Sequence, residues 1–175
     1  MHPTTVAVAQ SRAPELTYNI PEALLTGSVD GDHYSCRAGS GGRAGSRTQG
    51  AVHPLLANNP FATRVKLPAN MAHPGGPLPL NVYRLALHES RKNWIRLIPL
   101  DDDAMYGRAG MAIHGRGERG SDGCIVPTDF ADVQRLCRAV KRREEAGGPD
   151  ILLQVIAMGD LDYWWNLPNQ YKGVA

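Results

Sequence analysis

The chain has few cysteines, little net charge and no long apolar run. Its three cysteines are an odd number and none belongs to a Cys-x-x-Cys pair, which argues against a disulfide framework and a redox motif. A formal net charge of +2 with dispersed basic residues gives no support for nucleic-acid binding. No segment reaches membrane-spanning length, and the N-terminus lacks the pattern of a secretory signal peptide. We therefore expect a protein made in the cytoplasm, without a membrane span or a nucleic-acid partner.

The length and composition predict one globular domain that is mainly β. With 175 residues the chain can bury a core, and 19 glycines and 13 prolines favour turns and strands. Residues 1–15 show no clear period, so we interpret them as a loosely held lead-in to a single domain over residues 16–175. The expected class is mainly β with one or more helices, that is, α+β.

Local patterns place the elements of this domain. One helix is predicted to begin at Thr128 or Asp129, to carry an apolar stripe and to stop at Gly147-Gly148. Residues 39–76 form a long irregular excursion, for which disorder and function both remain open. The stripe comprises Phe130, Val133, Leu136, Cys137 and Val140, and strands are predicted near residues 16–20, 23–25, 33–38, 78–85, 94–100, 111–114 and 151–158, the fourth and fifth pairing as a hairpin.

A glycine-rich loop over residues 113–127 carries the chemistry. It brings His114 and Cys124 close together between two apolar segments. A cysteine attacks carbonyl carbon as thiolate, so it needs a base such as His114 and backbone N–H groups that hold the oxyanion. Gly123 and Cys124 are the natural oxyanion donors, and Ser121 either hydrogen-bonds the imidazole or closes the turn. The alternative interpretation is a polar strand end and a small buried cysteine.

Metal and redox roles have less support. The run Asp101-Asp102-Asp103 is more typical of a solvated turn than of a metal site, because the sequence places no partners for it. His114 and Cys124 lack two further ligands at recognisable spacing, although a site assembled in space stays open. A Cys36–Cys137 bridge is formally possible, but packing explains both residues. No cofactor is expected.

The order of histidine, glycine-rich turn and Ser-x-Gly-Cys-Ile resembles the signature of the L,D-transpeptidase (YkuD-like) catalytic domain. Three upstream segments resemble landmarks of the same domain: Gly39-Ser40-Gly41, Asn58-Asn59-Pro60 and the run from Gly76 to Tyr83. The resemblance covers about residues 30 to 158 and implies an L,D-transpeptidase-like β-sandwich, in which an amphipathic helix follows the active-site loop.

Within that family the chain is most similar to the L,D-transpeptidase-type effectors of type VI secretion. The interval from His114 to Cys124 is ten positions, which is short. Housekeeping members carry a histidine before the Gly-Cys pair and an arginine two places after the cysteine, whereas this chain has Asp122 and Val126. The resemblance implies an antibacterial toxin delivered to the periplasm of a target bacterium, with the secretion machinery and a cognate immunity protein as possible partners.

The resemblance also implies a substrate and a mechanism. Cys124, deprotonated by His114, would attack the diaminopimelate carbonyl of a peptidoglycan tetrapeptide stem and expel D-alanine, as an L,D-carboxypeptidase or in exchange for a D-amino acid. Tyr106, Arg108 and Arg116 are the expected partners of substrate carboxylates, and Gly115 and Asp122 are expected to contact substrate. Papain-like enzymes place cysteine before histidine, which this chain reverses. A catalytically silent module of the same fold, binding peptidoglycan or a partner, is the remaining alternative.

Overall fold

A computed structural model of the protein describes residues 12–42, 54–64, 75–115 and 120–172. These residues form eight strands and two α-helices, so the mainly β class with helices is confirmed. Both the strands and the helix expected from local patterns are present. The elements are β1 Leu16–Asn19, β2 Leu24–Val29, β3 Asp32–Ser40, β4 Val82–Leu87, β5 Ile95–Pro99, β6 Ala112–Ile113, β7 Ile125–Pro127, α1 Phe130–Glu145, β8 Leu152–Ile156 and α2 Asp162–Trp165.

The strands pair around a closed barrel in the order β1-β2-β3-β7-β6-β5-β4-β8. Two neighbouring pairs are parallel, β1 with β8 and β6 with β7, and the others are antiparallel. The strands therefore pair as one closed barrel and not as the two separate sheets of the expected β-sandwich. Alternation of apolar and polar residues is the same in both architectures, because each buries one face of every strand.

The predicted hairpin is confirmed, with one shift at its start. β4 pairs antiparallel with β5, and Tyr83 lies opposite Pro99. β4 begins at Val82 and not near residue 78. The N–H of Leu78 donates instead to the Ser40 hydroxyl at 3.2 Å, and Pro79 has no N–H to offer a neighbouring strand.

One hydrophobic core fills the barrel and the space beneath α1. Along β3 the buried residues alternate, which directs Tyr34, Cys36 and Ala38 inward. On α1, the side chains of Leu136 and Val140 enter the same core. All three cysteines are free thiols, and burial raises the pKa of Cys36 to about 11, so this cysteine is a packing residue.

The ends of α1 follow the capping rules. The side chain of Asp129 accepts a hydrogen bond from the N–H of Ala131 at 2.9 Å, and beyond Glu145 the chain turns at Gly147 with a φ of +63°. Two residues of the predicted stripe are not buried in the core, since Cys137 is only partly buried against it and Phe130 lies further out. The side chain of Phe130 is 45% exposed, because the first turn of α1 extends past the barrel wall towards the loop that carries His114.

Two expectations fall wholly or partly outside the described residues. Residues 1–11 of the predicted lead-in are among them, as are residues 43–53 and 65–74 of the irregular excursion. Within the described part of the excursion, two short 3-10 turns occur at Pro54–Leu56 and Pro60–Ala62. No helix in the described residues is long and apolar enough to cross a membrane.

We expect Leu136→Ala to destabilise the protein by about 2–5 kcal/mol, because it leaves a cavity in the core. Phe130→Ala on the same helix should cost about 1 kcal/mol or less, since its ring is half exposed. Unfolding of both variants in urea, with the wild-type protein beside them, measures the difference. Equal losses would place Phe130 in the core and contradict the structure.

Candidate active site

The parallel pairing of β6 with β7 brings His114 and Cys124 to one place. Ile113 lies opposite Ile125, both fully buried in the barrel. His114 follows β6 and Cys124 precedes β7, so both side chains point away from the barrel core, although His114 is covered there and only 7% exposed. The N–H of His114 donates to the Ile125 carbonyl at 3.1 Å, which extends the pairing. Strand spacings place the two Cα atoms about 8 Å apart, within reach of a histidine and a cysteine side chain.

A backbone carbonyl and an aromatic ring hold the imidazole of His114. Nδ1 lies 2.6 Å from the Gly115 carbonyl, which can only accept, so Nδ1 carries the proton and Nε2 of the neutral ring is left as the acceptor. The Trp94 indole stacks on the imidazole, with ring centroids 4.0 Å apart and planes 9° apart. Burial lowers the pKa of His114 below its ordinary value, so the ring is neutral at neutral pH and can act as a base.

Cys124 rests as a protonated thiol. Burial raises its pKa, and the nearby charge of Asp122 adds to this effect. The Ala112 backbone, the Ser121 hydroxyl and the positive charge of Arg108 act in the opposite direction but do not overcome burial. Sγ also donates a long hydrogen bond of 3.9 Å to the Gly110 carbonyl. Within the described contacts, no hydrogen bond joins Sγ to His114.

Ser121 closes the turn before Cys124. Its hydroxyl donates to the Cys124 carbonyl at 2.7 Å and accepts from the N–H of Gly123 at 3.2 Å. Of the two roles considered for Ser121, the structure shows this one. The same contact corrects the expected oxyanion pair, because the Gly123 N–H is already engaged and Gly123 does not line the cavity. The contribution of the Cys124 N–H remains a prediction.

Arg108 has a structural role that the sequence analysis misassigned. Its guanidinium donates to four backbone carbonyls. They come from three parts of the chain and link them to the active-site loop. The acceptors are Thr63 at 2.7 Å, Pro77 at 2.6 Å, Gly76 at 2.8 Å and Asp122 at 2.9 Å. The four terminal N–H groups are thereby used, so Arg108 is not available for substrate carboxylates.

The fully buried Ser40 links the upstream landmarks to the same loop. The hydroxyl of Ser40 donates to the Gly123 carbonyl at 2.9 Å. The side chain of Asn58 accepts from the N–H of Ser40 at 2.9 Å and from the Tyr18 hydroxyl at 2.7 Å. Next to Ser40, Gly41 has a φ of +78°, and a Cβ there would overlap the backbone of Gly76. These residues fix the loop from behind.

A cavity of about 870 Å³ opens over His114 and Cys124, within the range typical of small-molecule sites. Gly115 and Asp122 line it as expected, although the Gly115 carbonyl also orients His114. Tyr106 does not line it and stacks against the Arg64 guanidinium instead, 5.1 Å from the ring centroid. The fifth predicted substrate residue, Arg116, lies outside the described residues.

Among the cavity residues that the sequence did not predict, three contact His114, Gly115 or each other. Trp94 stacks on His114, Arg91 lies over the Trp94 ring at 4.4 Å, and Phe130 covers Gly115, where a Cβ would lie 2.9 Å from the Phe130 ring. The sequence gives little indication of these residues, because each belongs to an element that contacts the loop only in the folded protein. The described residues contain no group of three His, Cys, Asp or Glu side chains placed to hold a metal ion.

Comparison of the chain with protein-family models, with curated proteins and with solved structures finds no match.

We expect Arg108→Lys to destabilise the protein by about 3 kcal/mol, because an ammonium cannot replace four fork-shaped hydrogen bonds to separated carbonyls. Arg84→Lys is the matched control, since Arg84 pairs with Asp150 at 3.5 Å on the surface and should cost about 0.5 kcal/mol or less. Urea unfolding measures both variants. If Arg108→Lys proves as mild as the control, the link between the three segments is not structural.

The rate at which iodoacetamide alkylates Cys124 should rise steadily with pH and reach no plateau below pH 9.0, since burial raises the pKa of the thiol above that value. Mass spectrometry of the peptide that contains Cys124 separates its reaction from those of Cys36 and Cys137. Cys124→Ser gives the background. A plateau at about pH 5 to 7 would indicate a resting thiolate–imidazolium pair and contradict the neutral state.

Proposed function

We propose that the protein is a cysteine-dependent acyl-transfer enzyme that acts on the L,D bond between diaminopimelate and D-alanine in peptidoglycan tetrapeptide stems. The observation that supports this most is the placement of a neutral imidazole and a thiol on one face of two paired strands, beneath a shared cavity. A base of low pKa and a protonated nucleophile are a workable combination for general-base catalysis.

The reaction starts from the neutral pair. Rotation of the Cys124 side chain turns Sγ from the Gly110 carbonyl towards Nε2 of His114, which accepts the thiol proton as Sγ attacks the carbonyl carbon. The new S–C bond forms, the bond to the D-alanine nitrogen breaks, and His114 returns the proton to that nitrogen. A thioester remains on Cys124. Water or the amine of a free D-amino acid then attacks the thioester carbonyl, His114 takes a proton from it, the S–C bond breaks, and His114 returns the proton to Sγ of Cys124.

The arrangement around the loop supports the relationship to L,D-transpeptidases. The segments that resemble the landmarks of that domain contact the loop directly: Ser40 bonds Gly123, Asn58 bonds Ser40, and Gly76 accepts from Arg108. The active-site loop is followed by the amphipathic helix α1, in the order that the resemblance implies. These contacts explain why landmarks far apart in sequence belong to one site.

The proposal includes an antibacterial role, as a toxin delivered by type VI secretion to the periplasm of a target bacterium. Two features of the sequence support this role. The interval between His114 and Cys124 is short, and Asp122 and Val126 stand where housekeeping members carry histidine and arginine. Asp122 raises the pKa of Cys124, so this departure changes the chemistry of the nucleophile as well as the signature. A cognate immunity protein that covers the cavity would protect the producing cell.

A binding module of the same fold is the second candidate. The raised pKa of Cys124 and the lack of a described hydrogen bond from Sγ to His114 favour it. Thiol alkylation does not separate the two candidates, since a neutral catalytic thiol and an ordinary buried thiol both react slowly. Only turnover of substrate distinguishes them.

Purified protein incubated with disaccharide-tetrapeptide should release D-alanine, or exchange it when another D-amino acid is added, because the thioester can pass to water or to an amine. Mass spectrometry of the muropeptides detects either product. Cys124→Ala and His114→Ala should both abolish the change. Unaltered muropeptides in every sample would exclude this activity and favour the binding module.

The activity should fall on the acid side of a midpoint below pH 6.5, because a protonated His114 cannot take the thiol proton and burial lowers its pKa. Trp94→Leu exposes the imidazole, so the midpoint should move up towards 6.5. Trp94→Phe keeps an aromatic ring for the stack and should move it less. Profiles of kcat/KM against pH for the three proteins test this, and a midpoint that is the same in all three would remove Trp94 from the control of His114.

A further inference from the structure

A second groove adjoins the active-site cavity. It has a volume of about 430 Å³ and shares a stretch of its wall with the cavity, residues 91–94 in the turn that ends at β5. The stretch includes Trp94, whose ring stacks on His114 and lies under Arg91. A ligand bound at Cys124 can therefore continue past Trp94 into the groove without leaving the surface.

The opposite wall of the groove is one face of α1. Its four residues are spaced by three and four along the helix, so they point the same way. They are Gln134, Cys137, Arg138 and Lys141. Together with Arg91 and Lys92 from the turn, this wall gives the groove four cationic side chains and no carboxylate among its lining residues.

Three of these cations have no ion-pair partner within residues 12–42, 54–64, 75–115 and 120–172: Arg91, Lys92 and Arg138. The acidic residues close by along the chain have other partners, one of which is the fourth groove cation, Lys141. Glu89 pairs with Arg96, Glu144 accepts from the N–H of Leu87 at 3.0 Å, and Glu145 pairs with Lys141 at 3.6 Å.

The other side of α1 shows the contrast. Arg142 pairs with Asp32 at 2.9 Å, and Arg143 pairs with Glu15 at 2.8 Å and with Asp30 at 2.5 Å. The arginines that hold α1 to the barrel thus have carboxylate partners from the chain itself. Of the four cations that face the groove, Arg91, Lys92 and Arg138 have no such partner among the described residues, which leaves their charge available to an anionic ligand.

We propose that this groove binds the carboxylate-bearing portion of the peptide whose acyl group Cys124 receives, so that the enzyme selects acyl donors with free acidic groups at a distance from the scissile bond. The inference rests on the proposed function. A donor stem is preferred over a separate anion because the groove and the catalytic cavity share the wall at residues 91–94. The mixture of two arginines with Trp94 and Leu87 suits a peptide carrying both carboxylates and apolar carbon.

The test separates binding from turnover by using Cys124→Ala protein. Titration calorimetry with the free tetrapeptide L-Ala-γ-D-Glu-diaminopimelate-D-Ala is compared with its analogue amidated at the D-Glu carboxyl and at the diaminopimelate side-chain carboxyl. We expect the free peptide to bind about tenfold more tightly than the amidated one. Introducing Lys92→Gln and Arg138→Gln together into this protein should weaken binding of the free peptide by a similar factor. The affinity for the amidated peptide should stay unchanged.

Arg142→Gln is the matched control, since it removes a cation from the other side of α1, and it should leave both affinities unchanged. Equal affinities for the two peptides, or a loss that is the same in the control, would overturn the proposal. The binding result does not depend on whether the protein catalyses the proposed reaction. Charge-dependent binding by the Cys124→Ala protein supports the groove even if wild-type protein releases no D-alanine, and turnover without charge-dependent binding supports the enzyme and contradicts the groove.

Discussion

The pairing of Ile113 with Ile125 is the contact on which the site depends. Two short parallel strands bury these isoleucines in the barrel and, because side chains alternate, turn His114 and Cys124 to the outside. A slip of one residue in either strand would send one member of the pair into the core. Since β6 and β7 are only two and three residues long, their register needs support from the rest of the fold.

That support comes from buried polar contacts behind the loop. Arg108 donates to carbonyls of three segments, and Ser40 donates to Gly123, the residue before Cys124. Gly123 is fitted to this arrangement, because its φ is +130° and a Cβ would lie 2.6 Å from Nη2 of Arg108. The loop is therefore held by many interactions that never touch a ligand. Glycines and polar landmarks in its sequence reflect this packing as much as any chemistry.

What could be predicted from the sequence was local. The cap at Asp129, the β4–β5 hairpin and the placement of His114 and Cys124 in one loop each depend on residues near one another in the chain. Closure of the barrel could not be predicted, because the β1–β8 pairing joins residues such as Leu16 and Leu153. Trp94 and Arg108 were missed or misassigned for the same reason. The sequence shows that an arginine has several N–H donors, but it does not show that four carbonyls converge on them in the folded protein.

The site combines a thiol with a raised pKa and an imidazole with a lowered one, so the proposed catalysis requires substrate to bring them together. The most direct test of this account is the intact mass of the protein, quenched in acid during incubation with the tetrapeptide. The account predicts an adduct equal to the peptide less D-alanine, carried by Cys124 and absent from the His114→Ala protein. An unmodified protein, or an adduct on Cys36 or Cys137, would contradict it.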